Sequence, residues 1–276
     1  METGIFYFSA TGNSLAAAKA LKERFNCPRI INIAEIIGDE RIFAAYDRVI
    51  VVYPAYAYGM PLAVRRFFKR AEIGKDSYVA ALVTYGSRQG GALAEAKRLL
   101  RRRGIKLDYA RGIPSVENFI PIFGAPSEKT LAERTAMHER AVERICGEIE
   151  AGRKHTVRAF RFFPKIVSFI FRLARPLIVK FYKVEDSCTG CGICQKVCPA
   201  HSIRLTDGLP EFSGKCELCQ CCINWCPQKA ISFARVNPET QRYAHGAVCL
   251  SEFILKSNLT PQTEEEYDYE PVTETV

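Results

Sequence analysis

The sequence predicts an α/β protein in two units, a doubly wound parallel sheet of five strands followed by a small cysteine-rich α+β unit. Three observations carry this. From residue 4 to about 150, short apolar runs alternate with amphipathic stretches, the rhythm of strands wrapped in helices. Residues 151–184 then hold nine Lys or Arg and no acid. A dense cysteine block follows over residues 188–226. A chain of 276 residues accommodates two compact units and a connector. The expected division is 1–151, a basic amphipathic connector over 152–183, a unit over 184–236, and an arm over 237–276.

Strands are expected at 4–8, 29–33, 48–53, 78–84 and 105–110. Between them, Leu15, Ala18, Leu21 and Phe25 recur at helical spacing, as do Met137, Ala141, Ile145 and Ile149. Five strands in this rhythm fit a doubly wound fold of flavodoxin type. In the connector, Pro164 and Pro176 should divide the chain into short helical pieces. These pieces are expected to pack between the two units, with Arg side chains snorkelling outward, and to make at most weak peripheral contact with a membrane through 158–183. The uncharged run 166–171 of the connector is far below the roughly 20 residues a spanning helix needs. The first residues show no basic n-region or cleavage site, so a cytoplasmic location is expected. The acidic end, with Glu264, Glu265, Glu266, Asp268 and Glu270, reads as disordered.

In a reducing compartment clustered cysteines are metal ligands more often than disulfides. Cys188, Cys191, Cys194 and Cys198-Pro199 form C-x2-C-x2-C-x3-C-P, and Cys216, Cys219, Cys222 and Cys226-Pro227 repeat it at an offset of 28 residues. Ile203 maps onto Ile231 in the same way, marking an internal duplication. Three thiolates on a tight loop reach three corners of a four-iron cube, and in two-cluster ferredoxins the fourth comes from the other motif. Crossing them assigns one 4Fe-4S cluster to Cys188, Cys191, Cys194 and Cys226, and another to Cys216, Cys219, Cys222 and Cys198. Structural zinc would ask for two ligand pairs instead. Cys221 has the wrong spacing and reads as a bystander; Cys27, Cys146 and Cys249 are isolated and His201 reads as a surface residue. The formal charge of +9 would fall to roughly +5 with two clusters of about −2 each. Arg101, Arg102 and Arg103 precede Gly104 as cations do at a helix C-terminus, so no nucleic-acid partner is expected.

The first strand runs into Ser9, Ala10, Thr11, Gly12, Asn13 and Ser14 and then into an amphipathic helix. Hydroxyls of Ser9, Thr11 and Ser14, with N–H groups of the helix N-terminus, could hold a phosphate. There is no Walker Gly-Lys-Ser/Thr and no G-x-G-x-x-G fingerprint. After the third strand, Pro54, Tyr56, Tyr58 and Gly59 offer aromatic faces for a planar ring. After the fourth, Thr84, Tyr85, Gly86, Gly90 and Gly91 permit close backbone approach. Both loops lie where a doubly wound sheet binds its ligand.

On these residues the chain resembles the ferredoxin-flavodoxin fusion proteins of anaerobic bacteria, from about residue 4 to residue 236. The resemblance implies FMN with its phosphate on residues 9–14, Tyr56 or Tyr58 stacked on the isoalloxazine, and backbone near Gly59 facing N5. The loop of Thr84, Tyr85, Gly86, Gly90 and Gly91 would meet the pyrimidine edge. The expected function is electron transfer, coupling two 4Fe-4S clusters to FMN and exchanging electrons with redox proteins. The rival reading is a flavin-dependent reductase of a small molecule, fed by its own ferredoxin unit. It requires an acid, base or nucleophile converging on the flavin, and none stands out.

Overall fold

A computed structural model describes residues 1–157, 162–234 and 236–258. The first unit runs β1 (Thr3–Tyr7), α1 (Asn13–Arg24), β2 (Ile30–Asn32), α2 (Ile33–Ile36), β3 (Arg48–Pro54), α3 (Leu62–Arg70), β4 (Tyr78–Tyr85), α4 (Ala92–Arg101), β5 (Tyr109–Pro114), α5 (Ile120–Phe123) and α6 (Glu128–Glu150). All five strands are parallel, in the order β2-β1-β3-β4-β5. This is the flavodoxin-like order, whose ligand crevice lies outside the carboxyl ends of the strands. Being buried on both faces, the strands read as near-continuous apolar runs. On β3, Val49, Val51 and Tyr53 meet Val64, Phe67 and Phe68 of α3 in one core. Ile50 and Val52 face Leu15 and Leu21 of α1 and Ile145 of α6 in the other.

Four strands fall where apolar patterning places them; β5 starts later than the expected 105–110. Ile105 belongs instead to the end of α4. Gly104 adopts φ +72° and the Ile105 N–H donates to Leu100 O at 3.0 Å, the long bond of a Schellman cap. Ile105 is thus buried by a capping contact, which hydropathy cannot tell from a strand. On α6, Ala141, Ile145 and Ile149 face inward as expected, but Met137 is 39% exposed while His138, one position on, is 3% exposed.

Among its described residues the connector forms one helix, α7 (Phe162–Ile178), continued by a 3₁₀ turn (Val179–Phe181). Pro164 does not break it because the first turn needs no N–H donor there. Pro176 falls in its last turn, where little helix remains to disrupt. Residues 158–161 of the connector lie outside the described residues. Among the described residues no helix is long and apolar enough to cross a membrane.

The cysteine-rich unit comprises β6 (Lys183–Val184), α8 (Ile193–Lys196), β7 (Ile203–Thr206), β8 (Leu209–Phe212), α9 (Cys221–Trp225) and β9 (Ile231–Ser232). β6 pairs antiparallel with β9, and β7 with β8. The 28-residue duplication is written in the backbone. Positive φ recurs at Gly190 and Leu218, Gly192 and Gln220, and His201 and Lys229. The Cys188 N–H donates to Glu185 O and the Cys216 N–H to Ser213 O. The arm then returns across the first unit: Lys19 reaches Ala247 O and Glu252, and Leu255 joins the core that α3 also lines. The expected acidic disordered end lies outside the described residues.

Candidate iron–sulfur and flavin sites

Cys188, Cys191, Cys194 and Cys226 line a single cavity, three from the loop into α8 and the fourth from the end of α9. Gly190 and Gly192 supply the left-handed turns that wrap this loop. In the second repeat Leu218 and Gln220 adopt the same conformation without being glycine, a local strain that the surrounding packing must hold. Cys198 belongs with the second loop: it is an electrostatic neighbour of Cys216, Cys219 and Cys222 alike. Cys194 instead neighbours Cys226, Cys191 and Cys188. The first crossed set thus shares one cavity, and Cys198 lies among the thiols of the second loop.

The quartets also share their hydrogen bonding. Ser202 N donates to Cys198 Sγ at 3.4 Å and Ala230 N to Cys226 Sγ at 3.3 Å, the same contact in each repeat. Leu218 N donates to Cys216 Sγ at 3.3 Å. Burial pushes the Cys194 thiol up to about 12 and the Cys216 thiol up to about 11. Thiolates in such a setting need a cationic centre, which the irons of a cluster provide. Among the described residues no three His, Cys, Asp or Glu side chains converge as ligands of one ion. The first quartet lines a cavity instead.

The buried Cys221 thiol is bonded elsewhere, donating to Val197 O at 3.2 Å. His201 ties the two units together: Nε2 lies 3.2 Å from Ala34 O and Nδ1 contacts Asn258.

At the carboxyl ends of the strands, Ser9, Thr11, Asn13 and Ser14 share one cleft with Pro54, Tyr56, Thr84, Tyr85 and Gly86. Val116, Glu117 and Asn118 form a further wall after β5. Sequence reasoning missed these three; three parallel strands ending at a cleft should have directed attention to the fifth strand as well. Tyr58, Gly59 and Gly91 border a neighbouring cavity instead. Gly90 has φ +60° and lies directly against the Tyr58 backbone, while Gly91 N donates to Tyr58 O at 2.7 Å. This glycine pair lets two loops approach one another.

The donors in the cleft suit an anion joined to a planar ring. Helix α1 begins after Gly12 at φ 104°, with no side-chain cap and no acid in its first turn, so its positive end is open to a negative group. Ser9 Oγ accepts the Gly12 N–H at 3.2 Å and Thr11 Oγ1 accepts from Asn118 Nδ2 at 2.7 Å. Each hydroxyl therefore keeps its own proton to donate. Ser14 Oγ and Thr84 Oγ1 are paired at 2.7 Å. Tyr56 Oη is buried without a hydrogen-bond partner, an unmet polar group of the kind a ligand satisfies. Asn13 braces the cleft from behind, its Nδ2 donating to Val116 O and its Oδ1 accepting from Tyr243 Oη of the arm. An FMN phosphate and ring thus fit the residues present.

The two sites abut. Trp225 Nε1, one residue before Cys226, donates to Ala10 O at 2.9 Å. Glu217, one residue after Cys216, accepts from the N–H groups of Leu62 and Ala63 at the open end of α3. Tyr56 lies between quartet and cleft. Burial raises its hydroxyl well above the usual value, and Cys219 and Glu217 push it in the same direction.

Comparison with known proteins locates the first motif. Residues 181–204 match the 4Fe-4S binding domain family. One subunit of the ion-translocating oxidoreductase complex from Methanosarcina acetivorans is 50% identical over 48 residues, which cover 17% of this chain and 18% of that relative. Among solved structures, a Fusobacterium nucleatum flavodoxin bound to flavin mononucleotide is 13% identical, covering 56% of this chain and 100% of its own at TM-score 0.38. A flavodoxin from the domain Archaea is 17% identical, covering 52% and 99% at TM-score 0.30. The class that fold and site define is an iron–sulfur protein. Within it, this chain joins a ferredoxin-type 4Fe-4S region to a flavodoxin-like sheet.

Proposed function

We propose that the protein is an electron carrier of an anaerobic cytoplasm, holding two 4Fe-4S clusters and one FMN and exchanging electrons with redox proteins. One cluster is assigned to Cys188, Cys191, Cys194 and Cys226, the other to Cys198, Cys216, Cys219 and Cys222. FMN is assigned to the three-loop cleft, with its phosphate on the N-terminus of α1, Ser9 and Thr11, and its ring beside Tyr56. When bound, clusters pass single electrons and a flavin takes one or two. The observation that carries the reading is the position of Tyr56 between the second quartet and the cleft, in a contact that Trp225 and Glu217 hold closed.

The test is anaerobic purification with iron, sulfide and flavin counted on one sample, followed by rapid reduction. About eight irons, eight sulfides and one FMN per chain are expected. Flavin reduction through the clusters should proceed at a rate independent of protein concentration, because the units are tethered. Reduction only on addition of a separate ferredoxin defeats the reading.

Glu117 favours a second reading, because its carboxylate stands in the cleft against Gly86. A reductase that moves a proton at the flavin would use such a group. Turnover of an organic acceptor that collapses in Glu117→Gln, with FMN still bound, would move that reading ahead.

A further inference from the structure

We propose that α7 seats the protein on an anionic lipid bilayer. The inner side of this helix is already committed: Ser168 packs on Gly59, Arg175 pairs with Glu217, and the 3₁₀ turn beyond buries Val179. That anchoring turns the large apolar residues outward. Phe169, Ile170, Leu173 and Leu177 are 56%, 57%, 64% and 63% exposed, and their spacing places them on one helical face. Ile166 and Phe181 extend the face at both ends. Scattered exposed apolar residues need no explanation, but a contiguous stripe marks a docking surface. The expectation that the connector is spent between the two units holds for one side of the helix only.

Charge identifies the occupant. Across residues 151–184 there are nine cations and no acid. At the N-terminal end of the stripe, Ile166, Phe169 and Arg172 border a cavity whose opposite wall carries Arg65, Arg98 and Arg101, with Glu95 its one acid among the described residues. Guanidinium groups in excess over carboxylate suit phosphodiester headgroups, and the adjacent apolar stripe suits the acyl boundary below them. A second copy of this chain would bring two acid-free basic segments face to face, which electrostatics opposes.

The test is sedimentation of the full-length holoprotein with vesicles of phosphatidylglycerol and phosphatidylcholine in equal parts, and of phosphatidylcholine alone. Binding to the anionic vesicles is expected, at least tenfold tighter than to the neutral ones. Leu173→Asp with Leu177→Asp should weaken it tenfold or more. Because both positions are exposed, iron content and thermal midpoint should be unchanged. Arg98→Gln with Arg101→Gln should erase most of the preference for anionic lipid. Failure to bind, or equal binding by the Leu173 and Leu177 variant, overturns the proposal. So does a dimer that these substitutions dissociate in the absence of vesicle binding.

Discussion

Arg175 of the connector helix donates to Glu217 at 3.0 Å, and both side chains are buried. The other Glu217 oxygen caps the N-terminus of α3, so one carboxylate fastens the second cysteine loop to both the sheet unit and α7. Burial pushes this carboxyl up, against the pull of Arg175 and the two backbone N–H groups.

Removing one partner of a buried pair strands the other charge, at a cost of about 3–5 kcal/mol. Arg175→Met should therefore lower stability by about 3 kcal/mol, read as a shift of the urea midpoint at unchanged slope. Glu217→Gln keeps a capping oxygen but strands the Arg175 guanidinium, and should also destabilise. Either change should slow intramolecular flavin reduction, since each loosens the contact beside Tyr56. Full stability in Arg175→Met would mean the pair is not formed.

Cys198→Ser should remove the cluster of Cys216, Cys219 and Cys222 while sparing that of Cys188, Cys191, Cys194 and Cys226. Iron should fall from about eight to about four per chain. Cys221→Ser should leave iron unchanged, because its thiol is bonded to Val197 O outside the quartet. Loss of iron on changing Cys221 would revise the ligand register.

Thr11→Val removes a hydroxyl proton from the phosphate end of the cleft and leaves the ring end intact. A hydrogen bond to a charged group contributes about 1.5–3 kcal/mol, so FMN affinity should fall roughly 10- to 100-fold. Riboflavin affinity should hardly change. Equal loss of both would show that Thr11 serves only the fold.

His138 predicts an acid response. Burial, and then His245, hold it at about 4, and its Nδ1 is bonded to Ser115 Oγ at 2.9 Å. In the unfolded chain a histidine titrates near 6.5. Between these values the unfolded state binds more protons, so stability is complete above pH 6.5 and declines as pH falls toward 4. The loss should reach on the order of 2–3 kcal/mol. Because His245 lies on the arm with its ring centroid 5.3 Å away, the arm should loosen first. His138→Gln should flatten the dependence of the urea midpoint on pH over this window.

Much of this protein is legible in the chain because the responsible physics is local. A cubane takes three ligands from one tight loop, so the spacing of Cys188, Cys191 and Cys194, repeated at Cys216, Cys219 and Cys222, is visible without a fold. The same holds for strands buried on both faces and for the hydroxyl-rich turn before α1. What tertiary structure decided is where partners distant in sequence compete for the same residues. His138 rather than Met137 turns inward because Ser115 and His245 meet it there. Ile105 caps α4 rather than opening β5. Gly90 accommodates the Tyr58 backbone. Glu217 finds the end of α3 across 155 residues of chain. The stripe on α7 faces outward because Gly59 and Glu217 take its other side. An amphipathic pattern shows that a helix has two faces, but which face is covered depends on what the remainder of the chain brings against it.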